Sequence, residues 1–280
     1  MQSTIFLARG DEMRRLIFLL FFPFFVSALE VQPWFGGLYE FHLQTGYMYD
    51  YYRSVEGAVV PLGSTSNDHH LFWDLDFHAA PSWDCDIDLH LIDTPRHHFG
   101  FETTAIQMRY QWLDDIVGDP ITLATGFSAR YVSDVSLRDV SSLYHGPAEF
   151  VINFGLGNEF VDNDQWRARI WFYGAFGQAT FGSPWLEGLF GLDANVHEMH
   201  KFSIFFDGLH GFGRRHSLNI EHFHGYGKIY QRSIDIALRY GYQFGVWGTV
   251  KFTYERRLLA KLCPKNVNSF EISYLFPFSF

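Results

Sequence analysis

Leu38–Tyr51 reads LYEFHLQTGYMYDY, and its chemistry changes at every second residue. Tyr39, Phe41, Leu43, Thr45, Tyr47, Tyr49 and Tyr51 alternate with Glu40, His42, Gln44, Gly46, Met48 and Asp50. An extended strand sends successive side chains to opposite faces, so this segment has one aromatic face and one polar face. The period recurs in Ile121–Tyr131 and in Ile234–Tyr242. No helical period competes with it. The class is all-β.

Two architectures use such strands: a soluble sandwich or barrel with an apolar core, or a transmembrane barrel with its apolar face outward. Length discriminates. The alternating runs cover about 10–13 residues, and a tilted strand needs roughly 9–11 to cross a bilayer. Aromatic residues make up 19% of the chain, yet they are interleaved with polar ones instead of forming blocks. The polar faces carry Gly, Ser, Gln, Arg, Asp and Glu, which suits a wet or salt-bridged lumen.

The start of the chain points to export. Arg14-Arg15 precede LIFLLFFPFFV (Leu16–Val26) and the small residues Ser27-Ala28. That order predicts a signal peptide over residues 1–28, cleaved after Ala28, with Met13 as an alternative start because Asp11 and Glu12 precede it. Leu16–Ala28 is too short for a transmembrane helix. Residues 29–280 then form a single barrel domain. A net charge of −10 argues against nucleic acid as a partner. Cys85 and Cys263 make no disulfide framework and are expected to be free.

The final strand, NSFEISYLFPFSF (Asn268–Phe280), places Phe270, Ile272, Tyr274, Phe276, Phe278 and Phe280 on one face. With the signal peptide and the alternating strands, it resembles the assembly signal of Gram-negative outer-membrane β-barrel proteins. The resemblance implies an outer-membrane location, contact with membrane lipids, and recognition by the barrel-assembly machinery through this last strand. It implies an antiparallel up-and-down barrel with both termini in the periplasm.

Tryptophans gather at membrane interfaces. Trp83, Trp112, Trp166 and Trp247 stand beside short turns at Ala79–Ser82, Asp114–Pro120, Val161–Gln165 and Gln243–Gly245, all expected on the periplasmic side. Longer connections at Arg53–Asp68, Ser133–Pro147 and Arg257–Asn266 would face outward. Every candidate strand, including Arg215–His224, gives thirteen. Single-chain bacterial barrels have even numbers, so Leu209–Tyr230 is expected to be mostly one outer loop, leaving 12 strands within a range of about 10–14.

The chemistry concentrates in WDLDFHAAPSWDCDIDLHLID (Trp73–Asp93). Folded about Ala79–Ser82, this hairpin would set His78 against Asp84, Asp76 against Asp86 and Asp74 against Asp88, with His90 continuing the row into the lumen. Like charges facing one another need compensation. Arg109, Arg130, Arg167, Arg169, Arg239 and Lys251, on polar faces of other strands, are the expected basic partners. The leading expectation is therefore a narrow or salt-bridge-plugged barrel with a structural or small-solute or cation transport role. An acidic row could also select cations.

An enzyme is the other reading. The Asp pairs and Asp-x-His pairs are superficially similar to those of omptin-type outer-membrane proteases, but most of these residues should lie low in the barrel, away from the extracellular mouth. The His-x-Ser pair of outer-membrane phospholipases and lipid A deacylases does not occur. Asp88 and His90 are the best acid–base pair for a barrel-embedded hydrolase. His222 and His224 would share one face if extended, a half-site for Zn²⁺ or Cu²⁺, although scattered loop histidines are more often simply solvated. No cofactor is expected.

Overall fold

A computed structural model describes residues 31–162 and 165–279. The expected signal peptide, the alternative start at Met13 and the terminal Phe280 lie outside the described residues. The strands are β1 (Glu40–Tyr52), β2 (Ser54–Val55), β3 (Ser66–Ala80), β4 (Trp83–Asp93), β5 (Gly100–Leu113), β6 (Thr122–Val132) and β7 (Ala148–Asp162). They continue as β8 (Trp166–Ala179), β9 (Trp185–Val196), β10 (His200–Gly211), β11 (Arg232–Gln243), β12 (Thr249–Lys261), β13 (Pro264–Lys265) and β14 (Asn268–Ser279). Twelve of them pair antiparallel with their sequence neighbours, and β14 returns to β1 to close the barrel. That closing seam runs from Glu40 opposite Ser279 to Tyr51 opposite Asn268, so no sheet edge is left. β2 and β13 form a separate two-stranded ribbon.

The strand count of 12 agrees with the sequence. β10 ends at Gly211 and β11 starts at Arg232, so the Gly- and His-rich stretch between them is a connection. The alternation maps onto two environments. Ile106, Met108, Phe127, Ile152, Phe172, Leu238, Phe252 and Ile272 are exposed on the outside, and this continuous apolar belt excludes the soluble-sandwich reading. Trp83, Trp112, Trp166 and Trp247 are all exposed at one end of the barrel, beside its short turns. One of those turns holds His197 and Glu198, both at positive φ (53° and 58°), the geometry of a tight hairpin.

The opposite end carries the long connections, and these fold into a cap. Tyr52, Val140, Leu218, Phe223, Tyr226, Ile229, Leu262 and Cys263 pack as one buried apolar cluster. Ala58 bridges to Leu218, Gly225 N–H donates to the Leu137 carbonyl at 2.7 Å, and Ser183 N–H donates to that of Gly227 at 2.6 Å. The β2–β13 ribbon and the Thr94 hydroxyl, which donates to Asp139, tie in the remaining connections. All six connections at this end are thus joined in a single layer. Burial pushes the Cys263 thiol inside it up to about 11, so the free sulfur is an inert packing element.

Candidate functional site: a lumen closed at one end

The residues just before β1 set the interior. Gln32–Gly37 enter the lumen as a strap, because every few residues find a buried partner there. Gln32 Nε2 donates to Asp193 Oδ2 at 3.1 Å, and its carbonyl accepts from Arg109 Nη1 at 2.7 Å. Trp34 Nε1 donates to Asp115 Oδ1 at 2.8 Å, while its ring lies under the Arg169 guanidinium, 4.5 Å from the centroid. Phe35 stacks on His78 and carries Arg109 on its face. Gly157 admits the strap: a Cβ there would lie 2.4 Å from the Trp34 ring.

Beside the strap, inside the barrel, lies a chamber of about 540 Å³. Asp74, Asp76 and His78 line one wall; Arg130, Arg167, Arg169, Lys201, Arg239 and Lys251 line the others, together with Glu187 and Asp193. The interior is therefore bipolar, with both charge signs facing one space.

The Asp-rich hairpin has the register expected of it. Asp74 faces Asp88 and Asp76 faces Asp86 across β3 and β4. His78 Nδ1 stands 3.0 Å from Asp84 Oδ1 despite an irregularity between Phe77 and Ala80. The whole row is buried, and only Asp74, Asp76 and His78 of it reach the chamber.

Compensation comes largely from histidines. Near the turn end, a chain runs Glu40–His42–Asp76–His78–Asp84–Arg109, with separations of 3.0, 3.4, 3.5 and 3.0 Å along its first four links. Arg109 Nε closes it on Asp84 Oδ2 at 2.7 Å. Near the cap, a second chain runs Asp50–His70–Glu102–His90–Asp88, with separations of 3.6, 3.4, 3.7 and 3.5 Å. Alternating acids and imidazoles let each proton-carrying nitrogen offset a neighbouring carboxylate, which buried carboxylates require.

Of the six basic residues singled out in the sequence, Arg109 makes a direct ion pair with the acidic row. Arg130 pairs with Glu149 at 3.5 Å, and both Arg167 and Arg169 converge on Glu159 Oε2, at 3.5 and 2.6 Å. Arg239 donates to Thr253 Oγ1 at 2.9 Å and Lys251 to Gln44 Oε1 at 2.6 Å. Asp88 and His90 sit in the second chain beneath the cap, and Asp88 Oδ1 also accepts from Ala105 N–H at 2.6 Å. His222 and His224 flank the buried Phe223 on the cap surface, with His224 4.0 Å from Asp134. Among the described residues, His42, Asp76 and His78 form a group with metal-ligand spacing, their ligand atoms all within 4.8 Å of one another.

Sequence reasoning missed several participants. Glu40, His42 and Asp50 were visible on the polar face of β1, but nothing local said that this face meets β3. Glu102 turns inward through the irregularity between His90 and Leu91, which strict alternation does not anticipate.

No protein-family model and no curated protein matches the chain. Solved structures do. An outer-membrane channel from Pseudomonas putida F1 superposes with a TM-score of 0.61 at 10% identity, covering 90% of this chain and all of that one. The NanC porin superposes with a TM-score of 0.52 at 9% identity, covering 84% of this chain and 98% of that one. The fold is that of a Gram-negative outer-membrane β-barrel. The apolar belt and the tryptophans at one rim of this barrel are the features a bilayer demands, and they stand independently of any likeness. The phenylalanines and tyrosine of β14, from Phe270 to Phe278, lie on that membrane face and join it to β1.

Proposed function

We propose that the protein is an outer-membrane channel for small charged or zwitterionic solutes, held shut at rest by its cap. One observation carries this reading: the barrel encloses a polar chamber lined by both acids and bases. A purely structural barrel has no need of such a space, since the lumen of a narrow barrel is readily filled by side chains. In this reading the turn end faces the periplasm, both termini lie there, and residues 1–28 are the cleaved export signal. The outer-membrane channel and the porin that the fold resembles are consistent with it. Transport requires the cap to move, because its joined connections, packed around Leu218 and Tyr226, close that end of the barrel.

Planar-bilayer recording of the refolded protein is the test. Wild type should give rare, brief conductance steps. Tyr226→Ala, which removes a buried ring and its 2.6 Å hydrogen bond to the Val140 carbonyl, should raise open probability at least tenfold. A folded Tyr226→Ala barrel with no steps under any voltage would overturn the channel reading and leave a plugged structural barrel. The geometry gives a hydrolase no comparable support, since Asp88 and His90 are engaged with one another, with Glu102 and with backbone, away from the chamber.

A further inference from the structure

We propose that His42, Asp76 and His78 form a binding site for a divalent transition-metal ion of the zinc class, on the chamber wall beside the strap. The site is built from β1 and β3, which place His42 directly opposite Asp76 in register. His78 follows two residues on, on the same face. His42 Nδ1 lies 3.4 Å from Asp76 Oδ2, and His78 Nε2 lies 3.5 Å from the same oxygen. Ligands of a tetrahedral zinc ion, bound at ~2.0–2.1 Å, stand about 3.3 Å from one another. Two of the three ligand separations match that value, and all three atoms lie within 4.8 Å of one another.

The far side of each ring is also prepared. His42 Nε2 is 3.0 Å from Glu40 Oε1, and His78 Nδ1 is 3.0 Å from Asp84 Oδ1, itself fixed by Arg109. A carboxylate behind each metal-binding imidazole fixes the tautomer and the ring orientation and raises ligand basicity. Two such carboxylates behind two imidazoles that share a third ligand is the arrangement a metal centre needs. Asp76 Oδ1 is buried without a hydrogen-bond partner, so a second oxygen of the same carboxylate is available to the ion. Two nitrogens and a carboxylate suit Zn²⁺, Co²⁺ or Ni²⁺, whereas Mg²⁺ and Ca²⁺ want oxygen ligands. All three residues line the chamber, which leaves a coordination position for water or a solute.

The strap competes with the ion. Gly36 N–H donates to His78 Nε2, so that nitrogen carries the lone pair and the proton sits on Nδ1, toward Asp84. One lone pair cannot serve an N–H and a metal together. The fit is close: a Cβ on residue 36 would lie 2.5 Å from the His78 ring and 3.0 Å from His42 Cε1. Metal binding therefore exchanges the Gly36 contact for a coordination bond and loosens the strap at that point.

The test is Co²⁺ titration of the refolded, metal-free barrel in detergent, with folding verified by heat-modifiable gel mobility. His222→Ala/His224→Ala serves as the background, so that this exposed cap pair contributes nothing. One equivalent should bind with the intense visible bands of four-coordinate Co²⁺, and Zn²⁺ should displace it. Glu40→Gln should weaken binding by about 10–100-fold, and His42→Gln or His78→Gln by more than that. Chymotrypsin, whose sites Trp34 and Phe35 lie in the strap, should cut it faster with Zn²⁺ present. Should the histidine variants not fold, X-ray absorption of the zinc-loaded background protein reads the ligands directly, and two imidazoles with carboxylate oxygen are expected. The proposal is overturned by no stoichiometric uptake, by equal affinity in folded His42→Gln and His78→Gln, or by a zinc shell lacking imidazole.

Discussion

Arg109 is the cation on which one end of the turn-end charge chain rests, so Arg109→Met probes the architecture directly. Arg109 and Asp84 are both almost fully buried, at 3% and 2% exposure. The guanidinium reaches Asp84 Oδ2 through Nε at 2.7 Å and the Gln32 carbonyl through Nη1 at 2.7 Å. Methionine fills most of the same volume without charge, so the cavity contribution is small. What remains is a buried carboxylate deprived of its cation, which costs about 3–5 kcal/mol. His78, 3.0 Å away, offsets part of that and places the expected value at the lower end, about 3 kcal/mol. That is more than a hundredfold in the folded-to-unfolded ratio, since about 1.4 kcal/mol is tenfold. Asp84→Asn combined with Arg109→Met removes both charges and should cost less than Arg109→Met alone. The assay is urea unfolding in detergent micelles, read as the fraction of heat-modifiable barrel on gels. A single variant costing under about 1 kcal/mol, or a double variant costing more than the single, refutes the view that Arg109 stabilises chiefly by neutralising Asp84.

Three further outcomes follow from the same geometry. Phe154→Arg puts a charge on the exposed face near the middle of β7 and should destabilise the bilayer-inserted barrel by about 2–4 kcal/mol, whereas Phe160→Arg near the strand end should cost about 0–1; equal costs in vesicle unfolding would contradict the membrane placement of this face. Gly191→Ala brings a Cβ to 2.1 Å from the Trp171 ring, and should cost about 1–3 kcal/mol in the same assay, because the ring is walled in on the lumen side. Asp115, in the turn between β5 and β6, is opposed by burial, but hydrogen bonds from Thr122 Oγ1, Trp34 Nε1 and Glu159 N–H, with the Arg169 charge, hold its carboxyl below the usual range. A depressed carboxylate contributes its stability above the unfolded value, about 3.9, and loses it as pH falls through the folded one. Release of the strap, followed by Trp34 fluorescence, should therefore have a midpoint below the ordinary Asp value; a midpoint at or above it contradicts the assignment.

How much of this was legible in the sequence depends on the distance over which each feature is determined. The strands, their outward faces and the tryptophan rim follow from a period of two, which is local, so LYEFHLQTGYMYDY already sorts Tyr47 outward and Gln44 inward. The register of the Asp-rich hairpin is equally local, because one tight turn fixes it. Which wall faces which is not local. Arg130 and Arg169 line the chamber, and the acids they pair with are Glu149 and Glu159, contributed by the strand next to each. Cross-strand neighbours about 5 Å apart outcompete a wall on the far side of the lumen, and Coulomb attraction falls with distance. The aspartates of β3 and β4 are answered by the same rule. Their neighbours are β1 and β5, and these supply His42 and Arg109.

The strap is the part no periodicity could reveal, and it decides what the lumen can do. QPWFGG (Gln32–Gly37) has no strand alternation, and on its own reads as a leader to β1. Its composition nevertheless carries a physical signal. Trp34 and Phe35 are too apolar to lie in water, and the two glycines after them allow a close backbone approach that any side chain would block. Gly36 makes that approach to His78, and Arg109 ties the strap to the chain of acids and imidazoles through Gln32. Strap, acidic row and candidate metal ligands are therefore one mechanical unit. A change at any of them should register at the others. Arg109→Met, which frees the Gln32 carbonyl, should increase protease cleavage of residues 31–37 and, by releasing Gly36 from His78 Nε2, make that lone pair available to a metal ion. Unchanged cleavage in a folded Arg109→Met barrel would show that the strap is held independently of the acidic row.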